Sequence, residues 1–282
     1  MKDGFQKIIT EKSDANLRLD QILTKYVSRR KARKLLDHGA VFINGGRCKI
    51  ASKKIQPGNE ITFPMDLPQP PVEFNPEEII LGDNHNFLAI DKPRNWPTAP
   101  TPWGDRYCIK SVMENFTRIK DLYIFQRLDF HTTGVLVFAK SISALKIAEK
   151  SPVEKIYTAL VSRCDLKPGM IDLPIGPSSR RERYIVSSDG KKALTEILSV
   201  TDTDEYSLIR VKLHTGRTHQ IRVHLSYLGF PVIGDPWYGE NPETLSPMML
   251  HSTRFSMNYG KEHLTFSSEL PSFWPNTADN II

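Results

Sequence analysis

The apolar positions change period along the chain, and the changes mark the elements. Leu19, Ile22, Leu23 and Tyr26 recur at i, i+3, i+4 and i+7, which predicts one buried face of a short helix. A second helix is predicted after Ser28, whose hydroxyl suits an N-cap. Its apolar members Ala32, Leu35 and Leu36 face inward, and its cations Arg29, Arg30, Arg33 and Lys34 lie on the other side. Gly39 is placed to end it. The pattern then turns to strands. Val41–Ile43 runs into Asn44-Gly45, a hairpin dipeptide, and Pro57-Gly58 leads into a strand over 60–63. Further on, the unbroken apolar run Val135–Ala139, the alternating segment 154–161 and the segment 206–213 read as strands. A helix predicted from near Thr218 puts Ile221, Leu225 and Leu228 on its apolar face and stops at Gly229.

Five prolines fall among the thirteen residues 64–76, which excludes helix and central strand and predicts a semi-rigid linker. The chain therefore divides into a tail (1–14), a small helix-rich domain (15–65), a linker (66–76) and a large domain (77–282) of mixed strands and helices. No apolar run reaches the length of a membrane span, and the first residues contain no apolar signal core, so a cytoplasmic protein is expected. Cys48, Cys108 and Cys164 are too scattered for a disulfide framework or a cysteine zinc site and read as reduced thiols.

Charge sharpens this division. The chain carries 38 basic and 32 acidic residues, but residues 15–65 alone hold net +8 and the rest of the chain past them is near neutral. A basic block of fifty-odd residues on a neutral body points to a nucleic-acid-binding module.

Three segments of the large domain carry candidate chemistry. Asp129 sits in the polar turn of Gln126-Arg127-Leu128-Asp129-Phe130-His131-Thr132-Thr133-Gly134, just before the buried run. Such a carboxylate is either rigidly presented at a cleft or a turn aspartate bonded to nearby amides. Tyr157 lies on the strand 154–161, as core or as a stacking platform for a base. The third segment is Thr215-Gly216-Arg217-Thr218-His219-Gln220-Ile221-Arg222-Val223-His224. Its histidines do not suit a metal, because His219 and His224 are five apart, off the spacing that puts both on one helix face. Arg222 flanks the apolar face, with its head able to reach a cleft.

The small domain resembles the S-four-type RNA-binding domain of a small-subunit ribosomal protein and of many RNA-modifying enzymes. The resemblance rests on Arg18-Leu19-Asp20, Ser28-Arg29, Ala32 through Leu36, Gly39, Val41 through Gly45 and Pro57-Gly58. It implies that Arg29, Arg30, Arg33 and Lys34 contact RNA phosphates, which position a protein without reading sequence. The three segments of the large domain, in series, resemble the A-type family of ribosomal large-subunit pseudouridine synthases. Ala89 through Pro93, Leu173 through Gly176, the Gly190–Thr195 turn, Val232 through Asp235 and Leu250-His251 fit the same family. The resemblance implies an α+β fold whose large domain has a mixed, mostly antiparallel sheet. It implies isomerisation of uridine to pseudouridine in RNA, in which the N1–C1′ bond breaks, the base turns, and C5 bonds to C1′. Asp129 aligns with the family's essential aspartate, Tyr157 with its active-site tyrosine and Arg222 with the arginine that pairs with the aspartate. Arg127 aligns with an arginine assigned to fill the gap in the RNA stack or hold the extruded base. Thr133, Arg217, His219 and Gln220 lie in the matched motifs and are further substrate-contact candidates. A loop group, Arg180, Arg181 and Arg183, is a second phosphate candidate. The reaction has no redox step, so neither cofactor nor metal is implied.

Gln126 stands where the family usually has histidine, Thr133 where it usually has serine, and Arg94-Asn95 where Ser-Gly is commoner. The leading expectation is a monomeric synthase acting on large-subunit rRNA. The alternatives are a tRNA synthase and a non-catalytic RNA-binding or ribosome-assembly protein. A carboxylate-based nucleoside hydrolase would need a second carboxylate opposite Asp129, and none is identified in the matched motifs.

Overall fold

A computed structural model of the chain describes residues 4–69, 71–179, 183–239 and 247–275. The chain forms two compact units: residues 1–73 with 96–120, and residues 74–95 with 121–282.

In the first unit, helices α1 (Leu19–Leu23) and α2 (Arg29–Asp37) pack on a sheet of β1 (Phe5–Ile9), β2 (Phe42–Ile43), β3 (Gly46–Arg47) and β4 (Glu60–Pro64), in the order β1-β4-β2-β3. Leu19, Ile22, Leu23, Ala32, Leu35 and Leu36 join Ile61 and Phe63 in one core. The Ser28 hydroxyl accepts from the Lys31 amide, so the predicted N-cap of α2 is present. Arg29, Arg30, Arg33 and Lys34 are exposed. Two expectations change. Tyr26 lies beyond the end of α1 and is 48% exposed, because the helix is one turn shorter than the apolar spacing implies. The stretch read as a tail contributes β1, antiparallel to β4, with Ile8 buried.

The first unit also takes up a segment from far along the chain, residues 96–120, which contains α3 (Ile109–Thr117). Its turn seats on the C-terminal end of α2. The Asp105 amide donates to the His38 carbonyl, and Asp105 pairs with Lys49 at 2.6 Å. Arg47 donates to the carbonyls of Gly39 and Thr101. Trp103 meets Phe5 edge-on and Tyr107 meets His38 likewise. A Cβ on Gly104 would lie 2.4 Å from the His38 carbonyl oxygen, so only glycine permits this approach.

The second unit is built on a ten-stranded sheet. Its strands are β5 (Ile80–Asp83), β6 (Phe87–Lys92), β7 (Tyr123–Ile124), β8 (Thr133–Ala139), β9 (Val153–Ser162), β10 (Gly169–Asp172), β13 (Leu194–Asp202), β14 (Tyr206–Leu213), β15 (Leu250–Tyr259) and β16 (Glu262–Ser267). The main order is β10-β13-β14-β9-β15-β8-β6-β5, while β11 (Ile175–Pro177) and β12 (Tyr184–Val186) form a separate hairpin. Among the described strands only β8 and β15 pair in parallel, through His251 opposite Thr133 and Ser252 opposite Gly134. The sheet is thus mixed and mostly antiparallel. The fully buried β8 and α4 (Ile142–Ala148) share a core with Phe87, Phe255 and Met257. Helix α5 (Gln220–Tyr227) is the largest departure from its pattern. Gln220 through Leu225 are all buried, so the helix presents no exposed face over these six residues.

Candidate active site

The loop between β7 and β8 presents Asp129, β9 presents Tyr157 and α5 presents Arg222. These elements bring the three together. Arg222 Nη1 donates to Asp129 Oδ2 at 2.8 Å. Asp129 and Tyr157 both line two adjoining hollows of about 70 and 530 Å³, which share Arg127, Leu213, Arg217 and His219 as walls. Arg222 borders the smaller one.

Arg222 does not hang at the edge of an apolar face. It is 2% exposed, and its fork closes on a second carboxylate that the motif reading gave no role. Nε donates to Asp235 Oδ2 at 2.6 Å and Nη2 to Asp235 Oδ1 at 2.9 Å, which leaves Nη1 for Asp129. The bidentate contact therefore belongs to Asp235, and Asp129 receives a single bond. Asp235 Oδ1 also accepts from the amides of Trp237 and Tyr238. Burial works to raise the Asp235 pKa, but the two Arg222 bonds and its charge outweigh it and hold the carboxyl below its ordinary value. Burial likewise works against the Arg222 cation, and its two carboxylates outweigh that and hold it firmly charged. The rings of Trp237 and Tyr238 lie 5.4 and 5.1 Å from the guanidinium carbon.

Two further groups frame Asp129. His219, in left-handed backbone at the start of α5 (φ 57°), places Nε2 3.8 Å from Asp129 Oδ2 while Nδ1 meets the Tyr238 hydroxyl at 3.0 Å. Burial keeps it below the ordinary histidine pKa, hence neutral at pH 7. Lys92, at the end of β6, is wholly buried and donates to the carbonyls of Pro93, Phe130 and Thr132. Two of those carbonyls, of Phe130 and Thr132, follow Asp129 within three residues, so the lysine fixes the turn that carries it. Burial pulls its pKa down to about 7, against the attraction of Asp129 and Asp91. Its three acceptors use all three N–H bonds of the ammonium form. Tyr157 is buried, and burial, with the negative Asp129 adding to it, holds its phenol above the ordinary tyrosine pKa.

The remaining sequence candidates divide. Arg127 and Arg217 are exposed and line both hollows, Arg217 with Nε donating to the Lys192 carbonyl. Gln220 touches the smaller hollow, but its amide is spent on the Arg217 amide, the Leu194 carbonyl and the hydroxyls of Thr195 and Thr215. It positions the turn and has nothing left for a substrate. Thr133 is not in the cleft: it is buried and its hydroxyl meets His251 Nδ1 at 2.8 Å. Gln126 borders the larger hollow and donates to the Val135 carbonyl, tying the loop to β8. Arg29, Arg30, Arg33 and Lys34 belong to the first unit, where all but Lys34 line a separate groove that includes Lys49. Of the loop arginines, Arg180 and Arg181 lie outside the described residues.

The sequence reading gave no role to Asp235, Lys92 or the Trp237-Tyr238 pair. The signal present was a carboxylate thirteen residues after Arg222, at a Gly turn followed by two aromatics within three positions.

Comparison with known proteins gives the family. The RNA pseudouridylate synthase family matches residues 86–227 and the S4 domain matches residues 17–61. An uncharacterized RNA pseudouridine synthase of Aquifex aeolicus is 34% identical over 79% of this chain and 77% of its own. The ribosomal large subunit pseudouridine synthase D of Borreliella burgdorferi is 35% identical over 81% of this chain and 77% of its own. Among solved structures, human RNA pseudouridylate synthase domain containing 1 superposes with a TM-score of 0.57 at 27% identity, covering 68% of this chain and 83% of its own. Sequence, fold and cleft converge: the chain belongs to the RNA pseudouridylate synthase family, with an S4 domain ahead of the synthase region, and is an enzyme that isomerises uridine to pseudouridine in RNA.

Proposed function

We propose that the target lies in large-subunit rRNA and that Asp129 is the reacting carboxylate. The observation that carries the second point is the Asp129–Arg222 bond at 2.8 Å beside Tyr157 in an open cleft. The relative named as a large-subunit synthase supports the first. Arg222, locked by Asp235, gives Asp129 a charge-assisted bond that aims it. Its carboxylate then attacks C1′ or removes the C2′ proton, which frees the base to turn. Tyr157 supplies a ring for the uracil and a protonated hydroxyl. Its raised pKa makes phenolate costly, so its role is in stacking and hydrogen bonding rather than as a resting base. Arg127, exposed at the cleft, holds the place of the extruded uridine, whose unstacking costs a few kcal/mol.

The domain division is part of this proposal. Residues 15–65 bind RNA phosphates through Arg29, Arg30, Arg33 and Lys34, residues 66–76 link, and residues 77–282 do the chemistry, in a cytoplasmic monomer. No helix among the described residues is long and apolar enough to cross a membrane. Asp235 does not revive a hydrolase, since it is buried behind Arg222 with both oxygens occupied.

The test is tritium release from transcripts labelled at uridine C5, with large-subunit rRNA and bulk tRNA in parallel. Release from rRNA alone is expected, and release from tRNA alone overturns the target. Asp129→Asn should abolish release while RNA binding stays within a few-fold. Turnover by that variant removes Asp129 from its role.

A further inference from the structure

One cation of the cleft has no part in these roles. Lys155 precedes Tyr157 by two residues on β9, hence on the same face, and lines the larger hollow with Arg127, Asp129 and Arg217. Among the described residues its ammonium is paired with no carboxylate and lies 5.9 Å from the centre of the Phe125 ring. The neighbouring carboxylate, Glu154, is engaged by Lys212 at 2.7 Å. Among the described residues Asp129 is the one carboxylate in the wall of this hollow, and it already accepts from Arg222. A largely buried ammonium with no counter-ion is costly, and burial holds Lys155 below the ordinary lysine pKa. Such a charge is offset when an anion arrives. In the cleft of an RNA-modifying enzyme the anion at hand is a backbone phosphate.

We propose that Lys155 binds a backbone phosphate of the RNA strand next to the target uridine, in the hollow that Arg127 and Arg217 also line. The inference rests on the cleft of the proposed function as the place where uridine enters. Lys155 is then a binding residue that sets the depth to which the strand enters.

The experiment uses the full chain with Asp129→Asn to prevent turnover, and a single-stranded uridine-containing oligonucleotide from the active transcript. Lys155→Gln should lower the slope of log K against log salt by about 0.7, the share of one single-strand phosphate. Lys155→Arg should restore the slope. With Asp129 present, Lys155→Gln should raise KM about tenfold and change kcat less than threefold. Methylphosphonate placed at one linkage at a time should weaken binding to the Lys155 chain at one linkage near the target, and Lys155→Gln should be indifferent to that linkage. The Lys155 half of this arm alters only the RNA, so it locates the contacted linkage even where Lys155→Gln folds poorly, and Lys155→Arg should keep the same linkage. An unchanged slope with no linkage coupled to Lys155 overturns the proposal. A fall in kcat at constant KM also overturns it, by placing Lys155 at the uracil. The binding arms need no turnover, so an inactive wild-type chain tests the proposed function and leaves this inference to its own result.

Discussion

At the residue scale, the arrangement around Asp129 is set by one buried guanidinium shared between two carboxylates. Asp235 takes the fork and leaves a single N–H for Asp129. The two carboxylates differ in access: Asp235 is sealed, and Asp129, the carboxylate proposed to react, keeps 29% of its side chain open. Asp235→Asn should lower stability by about 3 kcal/mol, because a buried cation loses half its compensation. It should also reduce kcat more than RNA affinity, since Arg222 loses its orientation. Chemical denaturation and single-turnover rates check both, and a variant with unchanged stability and rate removes Asp235 from this role. Asp129, Tyr157 and Arg222 were legible because each stands inside a long motif. Asp235 was harder to see because its partner is thirteen residues away and across the fold. Thr133 was misassigned for a related reason. Strand alternation says that its side chain takes one of two faces, both of them buried in β8, but not that His251 waits on the one it takes.

At the element scale, strands were read well and short helices less so. The apolar run Val135–Ala139 falls within β8 and the alternating segment 154–161 within β9, since strand periodicity is local. Helix α5 misled, because its polar residues Gln220, Arg222 and His224 are buried with partners supplied by β13, the loop before β11 and the 235–238 turn. No hydrophobic pattern records a partner. The parallel pairing of β8 and β15 lies beside the smaller hollow, which Thr132 and Leu250 line. Gly134 there has φ 101°, and a Cβ would meet the Ser252 carbonyl oxygen at 2.3 Å. Gly134→Ala should therefore cost about 3 kcal/mol or more by forcing the strands apart, which differential scanning calorimetry would register as a large fall in Tm. A fall of only one or two degrees would show that the crossing yields easily.

At the scale of the whole molecule, charge asymmetry and the proline-rich stretch announced two parts, and the structure has two units. The excursion of residues 96–120 into the first unit was not legible, because it depends on contacts such as Gly104 against His38 and Trp103 against Phe5. It changes how the basic helix must be tested. Deleting residues 1–65 removes Phe5, His38 and Lys49 from against Trp103, Tyr107 and Asp105, so the truncated chain should lose its cooperative melt and aggregate. Replacing Arg29, Arg30, Arg33 and Lys34 together by alanine is the cleaner variant. It should keep Tm and lower the salt slope of RNA binding by about 0.7 to 0.9 for each phosphate that is no longer neutralised. An unchanged slope would separate α2 from RNA. The chain passes between the units at three places, after Glu73, Asn95 and Lys120. A module joined at one point can be gained or discarded by a single event at the end of a gene. One that a later segment threads back into cannot. Loss of the small unit alone would leave residues 96–120 without the surface they pack on, so the two are expected to be gained or lost together.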